Sequence, residues 1–540
     1  MINANDVRSP ILWTLSSGLL ATLTYLIFRL ISHRRFYRDL PGPPHSWFWG
    51  HIKIFGLYTR RLPHGSYFQA ALAQMKEDYS LPDIFYLDLW PIGPRFVFCS
   101  SPETAALPTT IRAFPQSQLI GKFLDGTLGS TAIEATNGAL WKSLHRMLGP
   151  GLTPGAVKTY HSFMIEEATV FCDKLKVSAQ NEEVIDISAR IGELLFDVVS
   201  WIVFGESSHA QSTGSQLHHD LGEILEILGR TSASASIPLP AWLAGRRQKR
   251  LVNAIDSEVN QRIHQRSLAL QEVGDNTMKS APKCLVDRML LEYKKNERPL
   301  NEVANKLILE NTKGMIAAGF NTTADVLSKS KYVFILLSVH PEVRRKLCEE
   351  HDTIDKHPTT TIQHLQDNPS LLQGLEYTTA VLYETMRLFP ISMVCRDPPS
   401  DVETIEHEGQ SYVVKDHAVG ICSYMMHYDA SVFPEPKEFK PERFTGAQAY
   451  ARSGYRPFER GLRSCMGQSL AMDQMRIVLL MTVRWFTFDL HDYEPSKTQL
   501  FSHTDMDTKI GKYAFQQMNL TAGPPGPVRM KIHGDVKGEC

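Results

Sequence analysis

From residue 11 to residue 28 the chain carries no charge (ILWTLSSGLLATLTYLIF), and the apolar run continues past Arg29 to Leu30 and Ile31. As a helix it is long enough to cross a hydrocarbon layer of about 30 Å. Arg29, Arg34, Arg35 and Arg38 crowd its carboxyl side, whereas its amino side carries only Asp6 and Arg8. That asymmetry predicts a single-pass anchor with everything after residue 31 in the cytosol. A cleaved signal peptide is the alternative, but the run is long for one and no small-x-small cleavage site follows it. Next, Leu40-Pro41-Gly42-Pro43-Pro44 cannot continue a helix and reads as a stiff spacer. From about residue 50 helical periodicity dominates. Strand-like runs are short, at Phe85–Leu89, Arg95–Cys99, Tyr412–Val414 and Val528–Ile532. Gln211–Gly214 and Ser232–Pro240 read as loops.

The pattern predicts a mainly α protein with small β-sheets, of the α+β class. Residues 1–10 form a short lumenal amino terminus, 11–31 the transmembrane anchor and 32–50 a basic, Pro-rich linker. Residues 51–540 form one domain, because no segment within them reads as an independent linker.

Composition narrows the function. Among 540 residues, 57 Lys and Arg nearly balance 58 Asp and Glu, so no global basic field exists to hold nucleic acid. Eight cysteines are scattered from Cys99 to Cys540 without a C-x-x-C pair. In a chain of this length that argues against a disulfide scaffold or a Cys-rich zinc site. Most of them read as buried, reduced, small apolar residues.

Cys465 is the exception. Phe458-Glu-Arg-Gly461-Leu-Arg463-Ser-Cys465-Met-Gly467 has the form F-x-x-G-x-R-x-C-x-G. From average residue usage, a chance match in a chain of this length is on the order of one in ten thousand. Gly461 permits a turn with positive φ, and Gly467 permits close approach to a flat ligand. The helical pattern from Gln468 to Leu480 puts Cys465 at a helix amino end, where amides and dipole favour a thiolate. Arg463 is placed to meet an anionic group.

This loop resembles the haem-binding signature of the cytochrome P450 family, and the resemblance extends over nearly the whole chain. With the anchor and the Pro-rich spacer, it is closest to the microsomal branch and similar to fungal biosynthetic members. The resemblance implies a haem b group held between a long distal helix and a proximal Cys-bearing loop and helix, with Cys465 as the axial iron ligand. Arg463, Arg396, Trp141 and His145 then match positions that face the haem propionates, although His145 stands where the family carries Arg. Glu384, Arg387 and Arg443 match a buried structural charge triad.

The pattern over Asn301–His340 predicts one long helix. Within it, Ala318-Gly319-Phe320-Asn321-Thr322-Thr323 resembles the family's oxygen-binding element. Gly in a helix interior costs about 1 kcal/mol against Ala. The expectation is that small residues leave room for dioxygen and that a Thr bonding back to the i−4 carbonyl distorts the ladder. The family's acid is Asn321 here, and an amide orients water but does not carry a proton at neutral pH. Thr322 and Asn321 are the catalytic candidates.

The resemblance implies a monooxygenase inserting one atom of O2 into an apolar small molecule, by hydroxylation, epoxidation or oxidative rearrangement, in secondary-metabolite biosynthesis. It further implies the endoplasmic reticulum membrane as location, with membrane lipid as a partner. Electrons would come from NADPH–cytochrome reductase or a cytochrome b-type donor. Lys142, Arg146, Arg456 and Arg460 are candidates for the basic docking face. Substrate specificity falls in residues 110–135, 205–245, 391–395 and 500–510. The alternatives are a reductase-independent haem-thiolate isomerase or dehydratase, favoured by Asn321, and a non-catalytic haem-binding protein.

Overall fold

The computed structural model describes residues 4–233, 241–272, 282–295, 300–322, 328–355, 358–391, 393–446, 450, 452–491, 493–518 and 521–534. Side chains at 4–16, 230–233, 241–244, 321–322, 328–330 and 358–359 are not described. Most of the loop expected at 232–240 therefore lies outside the described residues.

Six helices build the site: α1 (Ala4–Arg38), α2 (Gly138–Leu148), α3 (Ile187–Phe204), α4 (Glu302–Ala317), α5 (Glu376–Leu388) and α6 (Gln468–Thr482). Each starts or stops for a local reason. Asn301 caps α4 by accepting from Ala304 N at 2.9 Å. Asp186 caps α3 through Ser188 N at 2.9 Å, and Gly205, at φ 83°, ends it. The sequence of α3 is apolar on nearly every face, and α3 is correspondingly buried within one large hydrophobic cluster that reaches from Tyr58 to Ile532.

The principal sheet holds β1 (Ile84–Asp88), β2 (Arg95–Cys99), β3 (Val394–Arg396) and β4 (Ala418–Ile421), in the spatial order β1-β2-β4-β3. β1 and β2 are antiparallel with Ile84 opposite Cys99, and β2 runs parallel to β4 with Phe96 opposite Ala418. β3 returns antiparallel on β4, with Arg396 opposite Val419. A second sheet joins Val184–Asp186, Arg529–Gly534 and Phe486–Leu490. Thr404–His407 pairs with Gln410–Val413 in a hairpin. The β3 and β4 runs are too short and too uniformly apolar for an alternation signal, so periodicity does not single them out.

Two sequence expectations are altered. The helix expected over 301–340 keeps α-helical bonding only to Ala317, and Ala318–Thr322 forms a π-helical turn. Helix resumes over Ser328–Val339. The segment expected to act as a spacer is packed on the main sheet. Tyr86 N donates to Pro41 O at 2.8 Å, and Tyr37 OH bonds His417 Nε2 at 2.6 Å. Arg34 is buried, donating to Phe48 O at 3.0 Å and Trp90 O at 2.8 Å and pairing with Asp88. Asp88 is buried as well; hydrogen bonds from His33 and His45 and the charge of Arg34 outweigh that burial and hold its carboxyl well below the usual carboxylate range. The last turns of α1 are thus locked to β1. Along α1, Leu19, Leu20, Leu23 and Phe28 stand exposed. Among the described residues no helix is long and apolar enough to cross a membrane.

Burial also depresses His51, His218 and His417 to about 4, and His351 and His503 to about 3. His51 Nδ1 accepts from Asp88 N at 2.9 Å, a bond that only the neutral ring can accept. Between their unfolded value of about 6.5 and these depressed values, the unfolded chain binds protons that the folded one refuses. Stability is therefore full above pH 6.5 and is lost as pH falls toward 3–4, each group contributing up to ~1.4 kcal/mol per pH unit. The expected outcome is a thermal midpoint that is level from pH 8 to 6.5 and falls steeply from 6.5 to 4, measured by circular dichroism.

Candidate haem site

The site begins with a charge triad inside the protein. On α5, Glu384 and Arg387 lie one turn apart and both side chains are fully buried. Arg387 Nε donates to Glu384 Oε2 and Nη2 to Oε1, each at 2.8 Å. Arg443, from the 3-10 turn Pro441–Phe444, adds a bond to Glu384 Oε1 at 3.0 Å, and Lys440 N adds another at 3.0 Å. The remaining guanidinium hydrogens reach backbone oxygens of His427, Pro436 and Glu438 from Arg387, and of Pro434 and Glu435 from Arg443. All five N–H groups of Arg387 find an acceptor, which is the condition under which a buried charge is tolerated.

His427 carries this order to the cysteine loop. Its Nδ1–H donates to Arg387 O at 3.0 Å, and its Nε2 accepts from Arg456 N at 3.2 Å, which sets the tautomer. Arg456 begins the loop. Further along, Cys465 N donates to Phe458 O at 2.9 Å and Ser464 N to Gly461 O at 3.0 Å. Gly461 has φ 81°, and a methyl group there would stand 2.3 Å from Thr109 O, so no other residue fits. Phe458 is buried and roots the loop in the core.

Cys465 precedes the Gly467 cap of α6. Unlike the five other free cysteines among the described residues, which are buried, its side chain is exposed. Surrounding protein nevertheless raises its thiol above the usual value; a Gly467 N–H lowers it, and the Glu134 carboxyl raises it further. The sulphur thus stands in a cleft. The Gly467 N–H favours a thiolate, as expected at a helix amino end, while the surrounding protein opposes it.

Two guanidinium groups lie close enough to act on one another, one of them two residues before Cys465. Arg463 lies 4.3 Å over the Trp141 ring of α2 and donates to Thr136 O and Asn137 Oδ1, each at 2.6 Å. Arg396, on β3, is 3% exposed and bonds Gln116 Oε1, a neutral acceptor. Burial and the Arg396 charge together lower Arg463 to about 10. A buried and a half-buried guanidinium group that repel each other and bond neutral oxygens match a carboxylate-bearing ligand. With the exposed Cys465 sulphur two residues after Arg463, the residues fit haem. His145 is exposed and packs on Trp141 with ring centroids 4.9 Å apart.

On the other side of the cleft, the π-turn at Ala318–Thr322 is a local opening of the ladder of the kind found at functional sites. The side chains of Asn321 and Thr322, and Thr323 altogether, lie outside the described residues. At Gly319 a methyl group would stand 2.7 Å from Val199 Cγ1 of α3, so close helix packing gives the glycine a reason of its own. Arg456 is also corrected: it is buried, bonds Thr109 Oγ1 at 3.2 Å and pairs with Glu459, so it belongs to no docking face. Lys142, Arg146 and Arg460 are exposed.

Periodicity and motif missed Asn137, Gln116 and Glu134. An Asn ahead of an apolar helical pattern was the available signal for Asn137, which caps nothing but bonds Arg463 and Gln116 N. Gln116 and Glu134 had no such signal.

Comparison with known proteins agrees with this geometry. The family model Cytochrome P450 matches residues 42–512. Cytochrome P450 monooxygenase acrF of Aspergillus aculeatus is 28% identical over 86% of this chain and 97% of its own. Cytochrome P450 monooxygenase ptmG of Penicillium ochrochloron is 28% identical over 86% of each chain. The crystal structure of a cytochrome P450 haem domain superimposes with a TM-score of 0.71 at 18% identity, covering 92% of this chain and 97% of the other.

Breaking the triad leaves an uncompensated buried charge. Glu384→Ala is expected to cost about 3–5 kcal/mol of folding stability and to lower haem content per chain. Urea unfolding and absorbance of the purified variant measure the two effects.

Proposed function

Since this chain belongs to the cytochrome P450 family and its cleft fits haem at Cys465, we propose that it is a membrane-anchored monooxygenase inserting one atom of O2 into an apolar small molecule. The exposed Cys465 sulphur, two residues after an Arg463 guanidinium that feels the charge of the buried Arg396, is the observation that carries the reading. Haem, held by the Cys465 sulphur, would supply dioxygen activation. The protein's own residues do the rest. Gly467 N–H orients the sulphur, Arg463 and Arg396 would hold the propionates, and Trp141 braces Arg463 from beneath. Thr322 and Asn321 are the candidates for proton delivery.

Residues 11–31 anchor the chain in the endoplasmic reticulum membrane with the catalytic body in the cytosol. The uncharged run and the exposed Leu19, Leu20, Leu23 and Phe28 support this. Lys142, Arg146 and Arg460 form the docking face for NADPH–cytochrome reductase or a cytochrome b-type donor. Hydroxylation, epoxidation or oxidative rearrangement within fungal secondary metabolism is the reaction class, by likeness to the relatives above.

Asn321 favours one second reading, a reductase-independent isomerase or dehydratase. Reconstitution with and without NADPH and reductase separates the two; full turnover without them overturns the monooxygenase reading. Within that reading, Thr322→Ala is expected to lower product formed per NADPH consumed severalfold with haem content unchanged. Mass spectrometry and NADPH absorbance measure the ratio, and an unchanged ratio removes Thr322 from proton delivery.

A further inference from the structure

Glu134 lies in the segment 131–137, which bridges the distal helix α4 and the cysteine loop, and its backbone is held from both sides. From α4, Glu310 Oε2 accepts from Thr131 N at 2.8 Å and from its hydroxyl at 2.6 Å. Asn311 Oδ1 accepts from Ile133 N at 3.0 Å while its Nδ2 donates to Thr131 O at 3.0 Å. From the cysteine loop, Arg463 donates to Thr136 O. Ala135 N closes a turn on Ala132 O at 2.9 Å. The segment is rigid without any help from the Glu134 side chain.

That side chain lies against α4. A methyl group on Gly314 of α4 would stand 3.2 Å from Glu134 Oε2. Gly314 is one helical turn ahead of Ala318, where the ladder opens. The same carboxyl acts electrostatically on the Cys465 sulphur. Glu134 Oε2 is buried and bonds no described residue. Burial accordingly raises the Glu134 carboxyl above its usual value, against a bond from its own N–H. A buried polar atom left unpaired destabilises the fold until a partner arrives. A site built this way rejects ligands that lack the matching group far more strongly than an apolar pocket rejects a misfit.

We propose that Glu134 orients the substrate, its free carboxyl oxygen taking a hydrogen bond from a hydroxyl or N–H group on an otherwise apolar molecule. This rests on the reading that the cleft takes an apolar small molecule, and it narrows the class to donor-bearing ones.

The test uses full-length ferric holoprotein without reductase or turnover, so it is independent of whether the protein is a monooxygenase. The probes are 4-phenylimidazole and its 2-, 3- and 4-hydroxyphenyl isomers, whose imidazole binds the iron and whose optical shift gives Kd. In the wild type, one isomer is expected to bind at least tenfold more tightly than the parent. Glu134→Met removes that advantage, whereas Glu134→Gln, which retains an acceptor, keeps most of it. The thermal midpoint of Glu134→Met stays level or rises. Three isomers no tighter than the parent, or an advantage that survives in Glu134→Met, overturn the proposal. So does a midpoint several degrees lower, which would make the carboxyl a brace of the fold.

Discussion

The buried Glu384 carboxylate is the constraint on which the rest of the haem side depends. An ionised group at zero exposure must have its charge answered where it lies, and here two guanidinium groups and a backbone amide answer it. The guanidinium hydrogens left over then bind the backbone between His427 and Glu438. That stretch has little regular structure of its own, so its geometry is set by the triad. His427 joins the triad helix to the first residue of the cysteine loop, and Gly461 lets the loop press against Thr109. The position of the Cys465 sulphur is thus determined by electrostatics about one α-helix.

A second network, on the distal helix, does the corresponding work across the cleft. Glu310, Asn311 and Lys313 are buried polar residues on a helix whose neighbours are apolar. Glu310 and Asn311 bond residues 131–133, and Lys313 bonds Thr127 O at 3.0 Å while pairing with Asp256 at 2.6 Å. Arg463 reaches the same segment from the cysteine loop. The two layers of the cleft are therefore tied through one short stretch of chain, and a shift in either layer is felt at residues 131–137. Such satisfied networks rigidify a site, and the cation pair and the Glu134 oxygen stand out as the groups left for ligands.

The cation pair also shows how this fold trades stability for function. Arg396 and Arg463 repel each other in a desolvated place and bond neutral oxygens. Replacing such groups by apolar ones is often neutral or stabilising. Their presence is a cost to the folded chain that binding an anionic cofactor offsets, which couples cofactor loading to stability by mass action.

Much of this was legible in the chain alone. The cysteine loop, the Gln468 helix, the pairing of Glu384 with Arg387 and the strands at 84–88 and 95–99 follow from local spacing, because turns, caps and periodicity act within a few residues. So did the family, since five loop positions with fixed roles leave little room for coincidence. What tertiary structure decided lies in contacts between residues far apart in sequence. Gly319 is required by Val199, Arg456 is buried by Thr109 and Glu459, and Arg34 is removed from the basic flank by Asp88. The thiol of Cys465 is governed by the protein packed around it rather than by its helix. Glu134 carries no local pattern; only the meeting of residues 131–137 with the distal helix leaves its oxygen buried and unpaired. Short-range spacing determines which elements form and which residues they carry. Burial, which is a property of the assembled whole, decides which charges are compensated and which are left free for a ligand.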